Sequence, residues 1–350
     1  MIKIKTRLHS YELAYAPIMQ IAGQNVRVKN AMINALATFF SSGKKTENDW
    51  NSVESIHIKG EETGRKQFTV FRIRSIDDMI SAIKLSKASM LSGYIKDLLS
   101  DYSCQEELEQ IDNVLTSLFE RINQSISEIG KVALSYSLED IWEIVQKTSV
   151  VGSDERELNE MSNFELVCVY INLLRKRLEK RPERCLVLFE NIDHLLEKEE
   201  YKNVILSASN ITEDYDVHFL FTVSLDDYIV CDEGVIAGIT ICNDEVIPLP
   251  KIERIRDFIE NNYPVYRSFS EGEIVHIIEP IVQRLYLSNF RLSVKSEIVL
   301  KLINETVFRK EKPENYSSPE IEYLYGGKEE IDAFLAHQSK SIARKEDLVF

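Results

Sequence analysis

No run of eighteen apolar residues occurs in this 350-residue chain, so no helix read from it is long enough to span a membrane. An export signal is missing as well. Met1-Ile-Lys-Ile-Lys-Thr-Arg7 has neither an apolar core region nor a cleavage site, and a cytoplasmic protein is expected. Cysteine is scarce. Cys104, Cys168, Cys185, Cys231 and Cys242 are odd in number and widely spaced, and Cys168 and Cys185 lie in apolar runs. Buried thiols in a reducing compartment fit this better than disulfides. With no C-x-x-C pair and no His-x-x-x-His helix, zinc has no support. Basic charge is also short: 42 Lys and Arg against 57 acids give a net charge of −15. That excludes a general basic coat, but not basic residues gathered in one place. No internal repeat or low-complexity segment is visible. The 44% apolar and 28% charged content is ordinary for a soluble globular protein, and the length implies two or three domains.

What is present centres on Arg184-Cys-Leu-Val-Leu-Phe-Glu-Asn191. Its five apolar residues do not alternate, which suits a strand covered on both faces in a parallel sheet. Val217-His-Phe-Leu-Phe-Thr-Val223 reads as a second such strand, with a helix near Leu195 to Ser207 between them, the βαβ pattern. Earlier, Ile2-Lys-Ile4, Leu13 to Ala16 and Ile18 to Ala22 read as edge and hairpin strands. Gly23-Gln-Asn25 reads as a turn, and a helix follows from Val26 to Phe40. Ser55 to Ile58 and Phe68 to Ile73 are strand candidates, the second half exposed with Arg72 and Arg74 on its polar side. From Ile76 the period becomes helical. Leu108, Ile111, Leu115, Leu118, Ile122, Ile126, Ile129 and Ala133 form a narrow seam, and a helix at Leu138 to Lys147 carries Trp142. A further helix bearing Phe164 to Leu178 ends before Pro182, and closing strands are expected at Gly234 to Ile241 and Val246 to Pro250. Three helical patterns occupy Lys251 to about Lys312, Pro313 to Gly327 is a loop, and a last helix spans Lys328 to Ala343. The expected architecture is an α/β head domain with a degenerate nucleotide-binding-like sheet (1–75 plus 150–250), an inserted helical lobe (76–149) and a C-terminal helical extension (251–350).

A phosphate-binding loop needs glycines, then Lys and Ser or Thr where a helix begins. The place for it, Gly23-Gln-Asn-Val-Arg-Val-Lys-Asn30, has one glycine and no Gly-Lys-Ser/Thr end. The look-alike Ser42-Gly-Lys-Lys-Thr46 follows the helix instead of preceding it. Glu190 then reads as a capping or structural acid instead of a magnesium ligand, and Asp193 as the N-cap of the next helix. His57, His194 and His218 read as core or boundary histidines, and no triad is hinted at. No catalytic residues are assigned.

Acids are absent between Glu12 and Glu47 and again over residues 64 to 74. These segments hold Arg27, Lys29, Arg65, Lys66, Arg72 and Arg74, the candidate phosphate contacts. Arg27 and Lys29 also sit at a helix start, where the dipole favours anions. Arg175-Lys-Arg-Leu-Glu-Lys-Arg181 is a third basic cluster, read equally well as a solvated face. Contacts of this kind bind phosphate without sequence preference and weaken with salt. Glu128, Glu139 and Asp140 flank a turn in the lobe and could offer oxygen ligands to a hard cation, although EF-hand spacing is absent.

Taken together, the opening Met-Ile-Lys-Ile strand, the strand and helix from Met19 to Phe40, the insertion, and the return through Cys-Leu-Val-Leu-Phe-Glu and Val-His-Phe-Leu-Phe-Thr resemble the ring-forming adaptation protein of type II-A CRISPR loci in its long streptococcal form. The resemblance covers about residues 1 to 250. It implies a homotetrameric ring with a basic channel that holds linear double-stranded DNA during spacer acquisition, and partnership with other CRISPR adaptation proteins. It also implies calcium bound by acids of the helical region and no catalytic activity. Two other readings stay open at this stage: an atypical ATPase using Glu190 with Lys44 or Lys45, and a protein-interaction scaffold without DNA binding.

Overall fold

The computed structural model describes residues 1–41, 53–101, 104–126, 134–135, 145–152, 154–243, 245–283, 292–304 and 318–325. They form a mixed α/β fold of two units, Met1–Arg74 with Glu183 onward, and Ser75–Pro182.

In the first unit, β7 (Cys185–Phe189) is the unalternating apolar run, and all five of its residues are buried. Both of its faces are covered, as such a run requires. Leu186 and Leu188 face α1 (Val26–Phe40), joined by Leu220 of β8 (Val217–Thr222) and by Met19 and Ile21 of β3 (Ile18–Ala22). Phe189 stacks on Phe221 at 5.2 Å on the opposite face, and Tyr201 meets Phe221 edge-on at 6.1 Å. Tyr201 lies on α6 (Lys198–Asp214), so the sheet is closed from both sides.

The sheet has six strands in the order β10-β9-β3-β8-β7-β6, with β6 at Thr69–Ile73, β9 at Ile239–Cys242 and β10 at Val246–Pro248. All neighbours are parallel except β10, which pairs antiparallel with β9. A second, antiparallel sheet of order β2-β1-β4-β5 uses β1 (Ile2–Thr6), β2 (Ser10–Leu13), β4 (Val53–Ile58) and β5 (Glu61–Glu62). Its inward residues Ile2, Ile4, Ile56 and Ile58 meet α1, which is therefore buried between the two sheets. β1 and β2 form the expected hairpin, but β3 is not an edge strand. It lies between β8 and β9 with every residue buried. Its one polar side chain, Gln20, is satisfied by donating to the Val230 carbonyl (2.8 Å) and accepting from the Val230 N–H (3.0 Å).

Three helices close this unit: α7 (Ile252–Asn262), α8 (Glu271–Gln283) and α9 (Val294–Asn304). The expected loop at Pro313 to Gly327 instead contains α10 (Pro319–Tyr325). Proline is compatible with a helix's first position, where its missing N–H has no partner to lose. The Lys301 ammonium donates to the carbonyl oxygens of Tyr323 and Leu324, satisfying the C-terminal end of α10. The last expected helix, 328–343, lies outside the described residues.

The second unit contains α2 (Ile76–Ile83), α3 (Met90–Leu99), α4 (Gln105–Ile126) and α5 (Asn163–Lys180). The lobe drawn from periodicity ended at 149, but this unit runs through α5. Met79, Ile80 and Ile83 of α2 and Val167, Tyr170, Ile171 and Leu174 of α5 are all buried within it. No residue of α4 is buried, and seam residues Ile111 and Leu118 are exposed. Ile129, Ala133 and most of the Trp142 helix lie outside the described residues. No described helix is long and apolar enough to cross a membrane. None of the five cysteines forms a disulfide among the described residues, and Cys185 and Cys242 are buried and the others half-buried.

Candidate nucleic-acid interface

Parallel α/β sheets bind ligands outside the carboxyl ends of their strands. Here that edge is formed by the ends of β3, β7 and β8, and the chain's own groups fill it. The turn after β3 is only Gly23-Gln24-Asn25. Gly23 has φ +122°, and a Cβ there would stand 2.1 Å from the Cys242 carbonyl oxygen, so only glycine fits. Asn25 caps α1, its Oδ1 accepting from the Val28 N–H at 3.1 Å. The Gln24 N–H donates to Asn243 Oδ1 (3.2 Å) and the Asn25 N–H to the Cys242 oxygen (3.1 Å). Asn25 Nδ2 reaches the Asn243 carbonyl at 2.8 Å. Donors that would cradle a phosphate are thus already engaged.

Lys29 is 1% exposed. Its ammonium donates to the Val223 carbonyl (2.8 Å) and to Ser224 Oγ (2.9 Å). Burial lowers its pKa, with Asp193 and Cys242 acting in the opposite sense. Burial also pushes the Cys242 thiol up to about 11. Lys29 therefore leaves the set of phosphate contacts. Met32, Ile33 and Leu36 are buried on the same helix, and residues three and four apart share a helical face, so Lys29 falls on the inner side. That spacing was the signal available in the sequence.

At the end of β7, Glu190 accepts from Arg72 Nε, and Arg72 Nη2 donates to Asn34 Oδ1 at 2.7 Å. Asn191, at φ +53°, donates its N–H to Thr222 Oγ1 at 2.8 Å, and its Oδ1 accepts from the Thr222 and Ser224 hydroxyls. Sequence places Asp193 as the N-cap of the following helix, but it does not hold that position. Its Oδ2 accepts from the N–H groups of Ser224 (2.6 Å) and Leu225 (2.8 Å), while Glu197 holds the N-cap position of α6. Sequence reasoning missed Ser224 and Asn243. They lie about two hundred residues from Lys29 and Gln24, with no local pattern to mark them.

Four of the six candidate cations, Arg27, Arg65, Lys66 and Arg74, are exposed. Arg65 lies over the Phe39 ring at 5.7 Å. Arg72 is on the edge strand β6 but is held by Glu190 and Asn34. In the third cluster, Lys180 pairs with Asp101, Arg181 with Asp97, and Lys176 with Glu179. These contacts neutralise much of that face locally. Glu128, Glu139, Asp140, Lys44 and Lys45 lie outside the described residues. Among the described residues no group of three His, Cys, Asp or Glu is placed to hold a metal ion.

The family described as CRISPR-associated protein Csn2, subfamily St, matches residues 5–325. The chain belongs to the Csn2 family. The crystal structure of Stu0660 of Streptococcus thermophilus superposes with a TM-score of 0.73 at 19% identity, covering 90% of this chain and 97% of that one. At that identity the likeness establishes a shared fold, the α/β head with helical parts described above. An uncharacterised protein of Dictyostelium discoideum is 22% identical over 204 residues, 57% of this chain. This Csn2-family chain spans only 17% of the length of that curated relative.

Proposed function

We propose that this Csn2-family protein binds linear double-stranded DNA without reading its sequence and without catalysis, as a cytoplasmic homotetrameric ring acting in spacer acquisition with other CRISPR adaptation proteins. Family membership over residues 5–325 supports the CRISPR setting. The observation that carries the non-catalytic part is the self-filled crevice. Lys29 is held by Val223 and Ser224, and the β3–α1 turn is held by Asn243, so the groups a nucleotide would require are already paired within the chain. The exposed cations Arg27, Arg65, Lys66 and Arg74 support phosphate contact. A ring also reconciles a net charge of −15 with DNA binding, because copies of one basic patch face a shared channel while the outside stays acidic. Calcium enters only through the family, and none of the DNA contacts named here is routed through it.

The test is a gel shift with linear and closed-circular duplexes of equal length at low and moderate salt. Binding to the linear form alone, lost as salt rises, is expected. Equal binding to both forms would overturn the ring, and binding to neither would overturn the DNA reading.

A further inference from the structure

A ladder of aromatic rings crosses the head from one exposed cation to another. Lys59 Nζ lies 5.5 Å from the Tyr15 ring centroid. Tyr15 stacks on His218 at 4.9 Å and 13°. His218 meets Phe68 edge-on at 5.7 Å, and Arg184 Cζ lies 5.0 Å over the same Phe68 ring. Phe68 continues through Phe40 and Phe39, each step 5.1 Å, to Arg65.

The placement follows from topology. Phe68 immediately precedes β6, Arg184 immediately precedes β7, His218 is the second residue of β8, and Tyr15 lies just before β3. All four strands are parallel, so these residues share the amino-terminal edge of the sheet. α1 starts at the carboxyl edge and runs back, which brings Phe39 and Phe40 of its last turn to the same side. The crevice filled by Lys29 and Asn243 is on the opposite edge.

We propose that Lys59, Arg65 and Arg184 form a preordered cation row on this amino-terminal edge that takes backbone phosphates of duplex DNA. The proposal rests on the DNA-binding reading above and adds two cations, Lys59 and Arg184, that charge patterning alone did not single out. A cation seated over a ring face is attracted by the ring's quadrupole and has less rotamer freedom left to lose on binding. Lys59 and Arg65 are exposed, and neither makes an ion pair among the described residues. Among the described residues, Asp216 and Glu183 are acids beside Arg184. Asp216 pairs with Arg184 Nε at 3.2 Å, and Glu183 accepts from the Thr69 hydroxyl at 2.7 Å. The Asp216 side chain is 56% exposed, and a pair of that kind is weak and screened by salt. Arg184 also contacts the Tyr15 hydroxyl, yet five N–H donors leave capacity for a phosphate.

The experiment is fluorescence anisotropy of the full chain with a labelled linear duplex across a potassium chloride series. Each lost phosphate contact makes the log–log salt slope shallower by roughly 0.9. The Lys59→Gln/Arg184→Gln double variant is expected to lose about 2 units of slope. Lys5→Gln, whose exposed lysine pairs with Glu54 on the other sheet, is expected to lose none. A double variant that melts like the parent and keeps its slope would overturn the row while leaving the DNA reading intact. Absence of duplex binding by the parent at every salt would overturn both. If the double variant melts early, Lys59→Gln alone decides, since among the described residues the side chain of Lys59 makes a ring contact and no ion pair. An unchanged slope there would sink the proposal.

Discussion

The ammonium of Lys29 lies 2.8 Å from the carbonyl oxygen of Val223, across the carboxyl edge of the parallel sheet. One helical residue thereby closes the place where a nucleotide-binding fold would hold its ligand, and the consequences are measurable.

Lys29→Ala leaves the Val223 carbonyl and Ser224 Oγ without their buried donor and the Asp193 carboxylate without a neighbouring positive charge. A loss of about 2–4 kcal/mol is expected in urea unfolding. Lys29→Met, which keeps the apolar stem, is expected to cost less. Neither variant should give heat with ATP in calorimetry. A neutral Lys29→Ala would contradict the strut.

Gly23 and Gly60 both have positive φ, at +122° and +90°, but differ in surroundings. A Cβ at Gly60 meets nothing within 4 Å, so Gly60→Ala carries backbone strain alone, about 1 kcal/mol. Gly23→Ala adds a collision with the Cys242 carbonyl and should cost more than about 3 kcal/mol or prevent folding. Thermal melts of the two variants compare them directly, and similar melting points would refute the account.

His218 is buried between Tyr15 and Phe68, and burial lowers its pKa to about 4. Unfolded, it returns to about 6.5. Between those values the unfolded chain binds more protons, so stability is full above about pH 6.5 and falls as pH drops towards 4. The expected contribution is on the order of 3 kcal/mol. His218→Phe should flatten the stability–pH profile in that window. Carboxylates such as Glu165, held at about 2 by Arg156, lose their share at lower pH, below the ordinary carboxylate range.

Arg72 is engaged by Glu190 and Asn34, with 28% of its side chain exposed. Its replacement by Gln should leave the salt slope of DNA binding unchanged, whereas Arg27→Gln or Lys66→Gln should reduce it by roughly 0.9. Equal effects from all three would mean that the pair opens to the ligand. Glu190→Ala strands the half-buried guanidinium and should cost about 1–3 kcal/mol in urea.

Much of the architecture was legible because it is local. Five unalternating apolar residues announce a strand buried on both faces, and Cys185–Phe189 is one. The bounds of α1 follow from the Gly-Gln-Asn turn before it and its apolar period, and they stand at Val26–Phe40 as read. The interior position of β3 was not legible, because a short apolar run does not say which strands flank it. The unit boundary after α5 was not either, because a helix's apolar stripe does not name the surface it packs against.

For the site, local sequence settles the residue types and their periodicity: acid-free segments, a missing phosphate loop, cations near a helix start. Tertiary structure decided where each charge sits and what it touches. Arg27 and Lys29 are two positions apart, about 200° around a helix, so one faces solvent and the other enters the core. The partners that hold Lys29 and the turn before it, Ser224 and Asn243, lie just past the ends of β8 and β9, which come together only when the sheet assembles. The rings beneath Lys59 and Arg184 likewise meet only along one edge of that sheet.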